Sequence, residues 1–286
     1  MRSIEDIISR CTSEDVSFHE AVLLIAEQET GRPAADTRKV LESRLGDMEK
    51  SVEEALCLER RPLLVADRST LLEKESPEEA NLSSRFVVKA SRIAMAVAAS
   101  NACMGRIVAA PTAGSCGILP GLLFACEKTF GVSRELLTDS LVAAAGVGEV
   151  IAERATLAGA SGGCQAECGS AAAMGAAALT HIRGGEPGML AHAAALTLKS
   201  LLGLVCDPVA GLVEIPCITR NGMLVSMAAL GADMALAGVT SAIPVDEVID
   251  TMGAVGRALP ESLRETARGG LAVSPTGKSL ERSMKE

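Results

Sequence analysis

The chain has 286 residues and a mass of 29.4 kDa, which suits one large domain or a main domain with a smaller arm. Apolar residues make up 48% and charged residues 22%, so the chain can bury a sizeable core and is not disordered. Four Phe with no Tyr or Trp leave no platform for stacking bases, and a formal charge of −9 gains nothing from counterion release; together they exclude nucleic acid as an expected partner.

Residues 1–60 are polar and helical in pattern. One stripe is Phe18, Val22, Ile25 and Ala26; a second is Leu41, Leu45, Met48, Val52 and Leu56; Gly31-Arg32-Pro33 separates the two helices. Residues 61–84, with Pro62, Pro77 and Glu78-Glu79, read as a connecting segment, so an N-terminal helical arm and linker is expected over 1–84 and the main domain over 85–286. From Phe86 onward Ala, Gly and Leu dominate, and helices are predicted over 86–105, 119–129, 133–158, 164–182, 187–204, 220–238 and 244–258. Only 211–217 looks extended, so the predicted class is all-α. Glu5, Asp6, Glu14, Asp15, Glu20 and Glu27 crowd the first thirty residues, with no apolar stretch behind a basic start, and the expected location is cytoplasmic. Mean hydropathy is +0.30, but the uncharged run between Arg106 and Glu127 holds Pro111, Gly114, Gly117, Pro120 and Gly121, which reads as a loop and helix rather than a bilayer span, so no membrane partner is expected.

Nine cysteines in a chain without an export signal argue against a disulfide framework. Cys11, Cys57, Cys103 and Cys126 lie in helix-like apolar patterns and are expected as small buried hydrophobes. Cys116, Cys164, Cys206 and Cys217 each lie in a Gly- or Pro-rich interruption. The first interruption is Ala110-Pro-Thr-Ala-Gly-Ser-Cys-Gly117. The second, Gly159-Ala-Ser-Gly-Gly-Cys164, runs into a helix, so Cys164 has a helix dipole to favour its thiolate. Gly162 and Gly163 there serve equally well as an anion nest or as a point of tight helix packing. Cys168, one turn on, is a second ligand or core. The third interruption runs from Cys206-Asp207-Pro208 to Pro216-Cys217, with Cys206 expected at a helix end. Three soft donors without a nearby His favour an iron–sulfur cluster or zinc; His19 lies in the arm, His181 and His192 in apolar helical surroundings, and no Cys-x-x-Cys pair points to a zinc ribbon.

Ala110-Pro-Thr-Ala-Gly-Ser115, Ser161-Gly-Gly-Cys-Gln-Ala-Glu167, Leu204-Val-Cys-Asp-Pro-Val-Ala-Gly-Leu212 with Pro216-Cys217, and Glu265 to Gly277 together resemble the alpha chain of iron–sulfur-dependent L-serine dehydratase. The resemblance covers most of the chain after Phe86. It implies an all-α catalytic domain with a [4Fe-4S] cluster held by Cys164, Cys206 and Cys217, leaving Cys168 and Cys116 outside the ligand set. Three thiolates leave one of the four irons open, and an open iron is a Lewis acid for the substrate hydroxyl. The implied reaction takes L-serine, a small amino acid, to pyruvate and ammonia.

In such a site the hydroxyls of Thr112 and Ser115 are candidates to orient the substrate or assist proton transfer. Lys199, counted with these catalytic candidates, and Arg220 are possible partners of its carboxylate. Gly114, Ser161, Gly162 and Gly163 would form the anion-binding turns. The resemblance also implies a separate beta chain, because about sixty polar N-terminal residues cannot be the extra domain carried by single-chain relatives. One segment departs from the pattern: where many such chains read Ser-Gly-Leu-Thr-Gly-Gly-Asp, this one reads Arg60-Arg-Pro-Leu-Leu-Val-Ala-Asp67. That departure keeps open an iron–sulfur lyase acting on L-cysteine or another β-substituted amino acid. A non-enzymatic iron–sulfur sensor is a further alternative, and a pyridoxal-phosphate enzyme would need one of Lys89, Lys128 or Lys199 as its Schiff base.

Overall fold

The computed structural model describes residues 1–57, 61–74 and 82–285, so Arg60 and the acidic Glu78-Glu79 run lie outside the described residues. Three helices, not two, open the chain: α1 (Ile4–Glu14), α2 (Phe18–Thr30) and α3 (Ala34–Cys57). α1 is carried by Ile4, Ile7 and Cys11, buried on one face, and by Ser3, whose hydroxyl accepts from the Asp6 N–H. Ser17 and Glu20 close a capping box on α2, which stops at Gly31. Buried side chains of these three helices belong to the same hydrophobic core as the rest of the protein.

After the short α4 (Leu71–Lys74) come α5 (Arg85–Ala102), α6 (Ile118–Phe130), α7 (Arg134–Arg154), α8 (Gly159–Gly162), a π-helical turn over Gln165–Gly169, α9 (Ser170–Ile182), α10 (Pro187–Lys199), α11 (Cys217–Leu236), α12 (Val245–Ala258) and α13 (Pro275–Lys285). The architecture is all-α. α9 is the hub: every residue from Ser170 to Thr180 is buried, and the helix packs against α6, α7, α10 and α11. Its two Ala triplets supply helix propensity and let neighbours approach closely, which is how a core almost without aromatic rings fills space. Leu119, Leu122, Leu123 and Phe124 of α6 are fully buried, each stabilising the fold by roughly 1.5–3 kcal/mol.

The departures from the sequence expectations fall at the interruptions. Residues 211–217 form no strand: Val209 donates to Ile215 O, Glu214 to Leu212 O, and the chain turns into α11 at Cys217, three residues before the predicted start. Pro216 cannot donate to a ladder, and among the described residues no neighbouring strand is there to receive one. α10 ends at Lys199 rather than 204, ahead of Gly203 at φ 82°, so Cys206 sits beyond the helix end, in an isolated parallel bridge to Arg264. Cys11 and Cys126 are buried as expected, whereas Cys57 is exposed and Cys103 half-buried because both stand at helix C-terminal ends. No described helix is long and apolar enough to cross a membrane.

Candidate active site

The three interruptions and the C-terminal segment meet around Cys164, Cys206 and Cys217, which are 2%, 4% and 8% exposed. Cys164 leads into the π-helical turn, where Gln165 donates to Gly162 O and Met252 O and its backbone N–H donates to Leu204 O. Cys206 is held by its backbone: its N–H donates to Leu263 O and its carbonyl accepts from Glu265 N–H. Cys217 is the first residue of α11. The thiols are close enough to act on one another. Burial pushes the Cys217 thiol up to about 12, with the Cys164 charge adding to it. Burial also raises Cys206, followed by the charges of Cys164, Glu167, Glu265 and Cys217. Cys164 is lowered, first by a hydrogen bond from Cys168 and then, against burial, by Arg220. Cys168 is raised correspondingly, and its Sγ also donates to Gly114 O at 3.8 Å.

Glu167 is the functional candidate that sequence reasoning passed over. Its Oε2 lies 4.0 Å from the Cys206 Sγ, and Thr112 acts on its carboxyl. Two glycines from two different motifs leave room for it. A Cβ on Gly114 would come within 3.3 Å of both carboxylate oxygens, and one on Gly159 within 2.6 Å of Oε2 and 3.2 Å of the Cys206 Sγ. Burial raises the Glu167 pKa, and the Glu265 charge adds to the rise while Thr112 and Arg220 oppose it. Glu265 itself occupies the left-handed region at φ 62°, a conformation that costs a side-chain-bearing residue about 1–2 kcal/mol. The signal in the sequence was present: Glu167 stands one turn after Cys164 in the second motif.

The first loop is tied to α11 by Asn221, a fully buried residue that the sequence reading also missed. Its Nδ2 donates to Gly114 O at 2.8 Å and to Cys217 O at 2.9 Å, and its Oδ1 accepts from Gly117 N–H at 3.0 Å. Thr112 and Ser115 face each other, Oγ to Oγ, at 3.0 Å. The departing segment after the N-terminal helices is anchored here too: the N–H groups of Leu63, Leu64 and Val65 converge on the buried Glu214 carboxylate at 2.9, 2.7 and 3.3 Å, three residues before Cys217.

Of the residues expected at the site, Cys164, Cys206, Cys217, Thr112, Gly114, Ser115 and Arg220 are brought together. Ser161 is exposed nearby. Gly162 and Gly163 direct their N–H groups to Ala158 O and Gly159 O, inside α8, so these two amides serve the turn. A Cβ on Gly163 would meet Leu259 and Leu204 O, in keeping with tight packing. Lys199 bonds the Ser241 Oγ at 3.3 Å, between α11 and α12, where Ser241 is also held by His192 and Ile243 O. The Arg220 guanidinium donates to Val205 O and Asp207, and its charge acts on Cys164. Among the described residues, no three His, Cys, Asp or Glu side chains converge tightly enough to chelate a single metal ion.

The profile of the family described as "Serine dehydratase alpha chain" matches residues 13–272. The chain is 41% identical over 284 residues to the "Probable L-serine dehydratase, alpha chain" of Bacillus subtilis (strain 168), covering 99% of this chain and 95% of that one. It is 51% identical over 197 residues to the "L-serine dehydratase, alpha chain" of Peptoniphilus asaccharolyticus, covering 69% and 68% of the two. The "L-serine dehydratase" of Mycobacterium bovis is 37% identical over 286 aligned positions, which take in 95% of this chain but 61% of that longer protein. With most of its length matched, this chain belongs to the serine dehydratase alpha chain family.

Proposed function

We propose that this chain is the catalytic subunit of an L-serine dehydratase that releases pyruvate and ammonia, and that Cys164, Cys206 and Cys217 hold a [4Fe-4S] cluster in it. The observation that carries the reading is the meeting of three buried thiols from three separate segments of the chain beside Glu167, Thr112 and Ser115. The donor set fits the cluster: all three donors are soft, free thiols, and none has a histidine among the groups acting on it. When bound, such a cluster supplies an iron without a protein thiolate, a Lewis acid that makes hydroxide a tolerable leaving group.

The chain's own residues supply the rest. Dehydration removes the Cα proton and the β-hydroxyl of L-serine as water; the resulting aminoacrylate tautomerises to an imine, and water hydrolyses it to pyruvate and ammonia. Glu167 Oε2 is placed to hold and pass the proton, since burial keeps its carboxyl nearer neutrality than a solvated one. Thr112 and Ser115 orient hydroxyl and carboxylate groups next to it. Gly114 and Gly159 leave the space that the Glu167 carboxyl requires. A beta chain completes the enzyme, in line with the alpha-chain designation of the relatives. The test is pyruvate release from L-serine, L-threonine and L-cysteine by the anaerobically purified protein with and without its beta chain. Release from L-serine above the other two is expected; a cluster-loaded α/β complex that turns over none of them rejects the reading, and preference for L-cysteine moves the substrate.

A further inference from the structure

We propose that Arg220 is a positioning residue for the metal centre, tying the three ligand-bearing segments together and facing the Cys164 sulfur, rather than the partner of the substrate carboxylate. The inference rests on the cluster reading above. One arginine bears on all three segments. Nη1 donates to Val205 O at 3.0 Å and Nη2 to Asp207 Oδ1 at 3.4 Å, so it grips the residues on either side of Cys206. Its charge acts on Cys164, and its own backbone stands on α11 three residues after Cys217. The grip is rigid. The side chains of Arg220 and Asp207 are 14% and 5% exposed. Asp207 Oδ2 accepts from Leu271 N–H at 2.8 Å. Gly270, at φ 57°, lets that backbone approach so closely that any Cβ there would overlap the Asp207 carboxylate.

Charge points the same way. Cys164, Cys206 and Cys217 share their surroundings with Glu167, Glu265 and Asp207, an anionic neighbourhood in which Arg220 is the cation acting on Cys164, Cys217 and Glu167. A planar fork that reaches a carbonyl and a carboxylate at once, while its charge acts on a sulfur, is a use that a lysine cannot reproduce. Both terminal nitrogens of the guanidinium are already engaged, by Val205 O and Asp207, and these bonds compete with a substrate carboxylate.

The experiment compares the anaerobically purified wild type with Arg220→Gln and Arg220→Lys. It measures iron and acid-labile sulfide per chain, the rate of cluster loss to a chelator, the cluster midpoint potential and KM for L-serine. In Arg220→Gln, cluster loss is expected to accelerate about tenfold, the range for removing an outer-shell partner of a metal ligand. The potential should fall, because the electron added on reduction loses a nearby positive charge. KM in the cluster-bearing fraction should change less than about threefold. Arg220→Lys, which keeps the charge but not the fork, should fall between, and its readouts decide if Arg220→Gln does not accumulate folded. Full iron and sulfide, an unchanged potential and a KM raised more than about tenfold would overturn the proposal and return Arg220 to the substrate. A wild type that binds neither iron nor sulfide fails the cluster reading itself, a separate outcome visible before any variant is compared.

Discussion

Replacing Asn221 by Ala isolates the joint between the first loop and α11. Three hydrogen bonds disappear; the buried N–H of Gly117, the N-cap residue of α6, loses its partner, and the half-buried Gly114 carbonyl is left with only the long Cys168 thiol contact. Cys217 O is the carbonyl one turn back along α11, so its helical partner remains. The stranded buried N–H costs roughly 1–3 kcal/mol and the half-buried carbonyl about 1 kcal/mol, so the substitution should destabilise the protein by about 3 kcal/mol. At about 2 °C per kcal/mol for a chain of this size, Tm should fall by about 6 °C in calorimetry or thermal circular dichroism. Asn221→Asp keeps the shape and the acceptor but deletes both donors and buries a charge, and it should be no better than Ala. A drop under about 2 °C for both variants would refute the reasoning, because it would mean that the loop does not depend on this joint.

Gly159→Ala tests the room left for Glu167. Gly159 has ordinary backbone angles, and the added methyl meets the movable end of Glu167, so Tm should shift little while kcat falls more than about tenfold through the displaced carboxyl and Cys206. His181 should give the fold an acid limit. Burial lowers its pKa to about 4, with His19 3.0 Å away, Asp139 acting from α7 and Ser140 hydrogen-bonded at 3.0 Å. Its folded pKa lies below the unfolded value of about 6.5, so the neutral ring contributes fully above that pH and the contribution, about 3 kcal/mol, is lost as pH falls towards 4. Urea titrations of His181→Gln should show a correspondingly flatter pH dependence between those limits. Glu214→Gln weakens the acceptor for three backbone N–H groups, so limited proteolysis within residues 61–74 should speed up about tenfold while the helical core stays intact.

The helices were legible because they are local. Ala171–Ala173, Ala176–Ala178 and the leucines of α6 announce themselves by propensity and apolar content, whatever packs against them. The convergence of Cys164, Cys206 and Cys217 was legible only through the resemblance of whole motifs. Their spacing along the chain reveals nothing about distance in space. What stayed hidden depends on contacts far apart in sequence. Asn221 looks like any polar residue of a helix until Gly114 and Gly117 are seen beside it, more than a hundred residues away. Glu167 looks like a helix-surface carboxylate until Gly114 and Gly159 are seen to make room for it. The stretch 211–217 alternates like a strand, but without a neighbour to pair with it the backbone closes its hydrogen bonds locally instead.

The central claim is that one cluster is shared by three thiols and no fourth. Iron and acid-labile sulfide should be counted in anaerobically purified wild type, Cys164→Ala, Cys206→Ala, Cys217→Ala and Cys168→Ala. The account predicts four irons and four sulfides per wild-type chain, as a [4Fe-4S] centre requires. It further predicts loss in the first three variants and retention in the fourth. Retention in any of those three, or loss in Cys168→Ala with its fold intact, contradicts it.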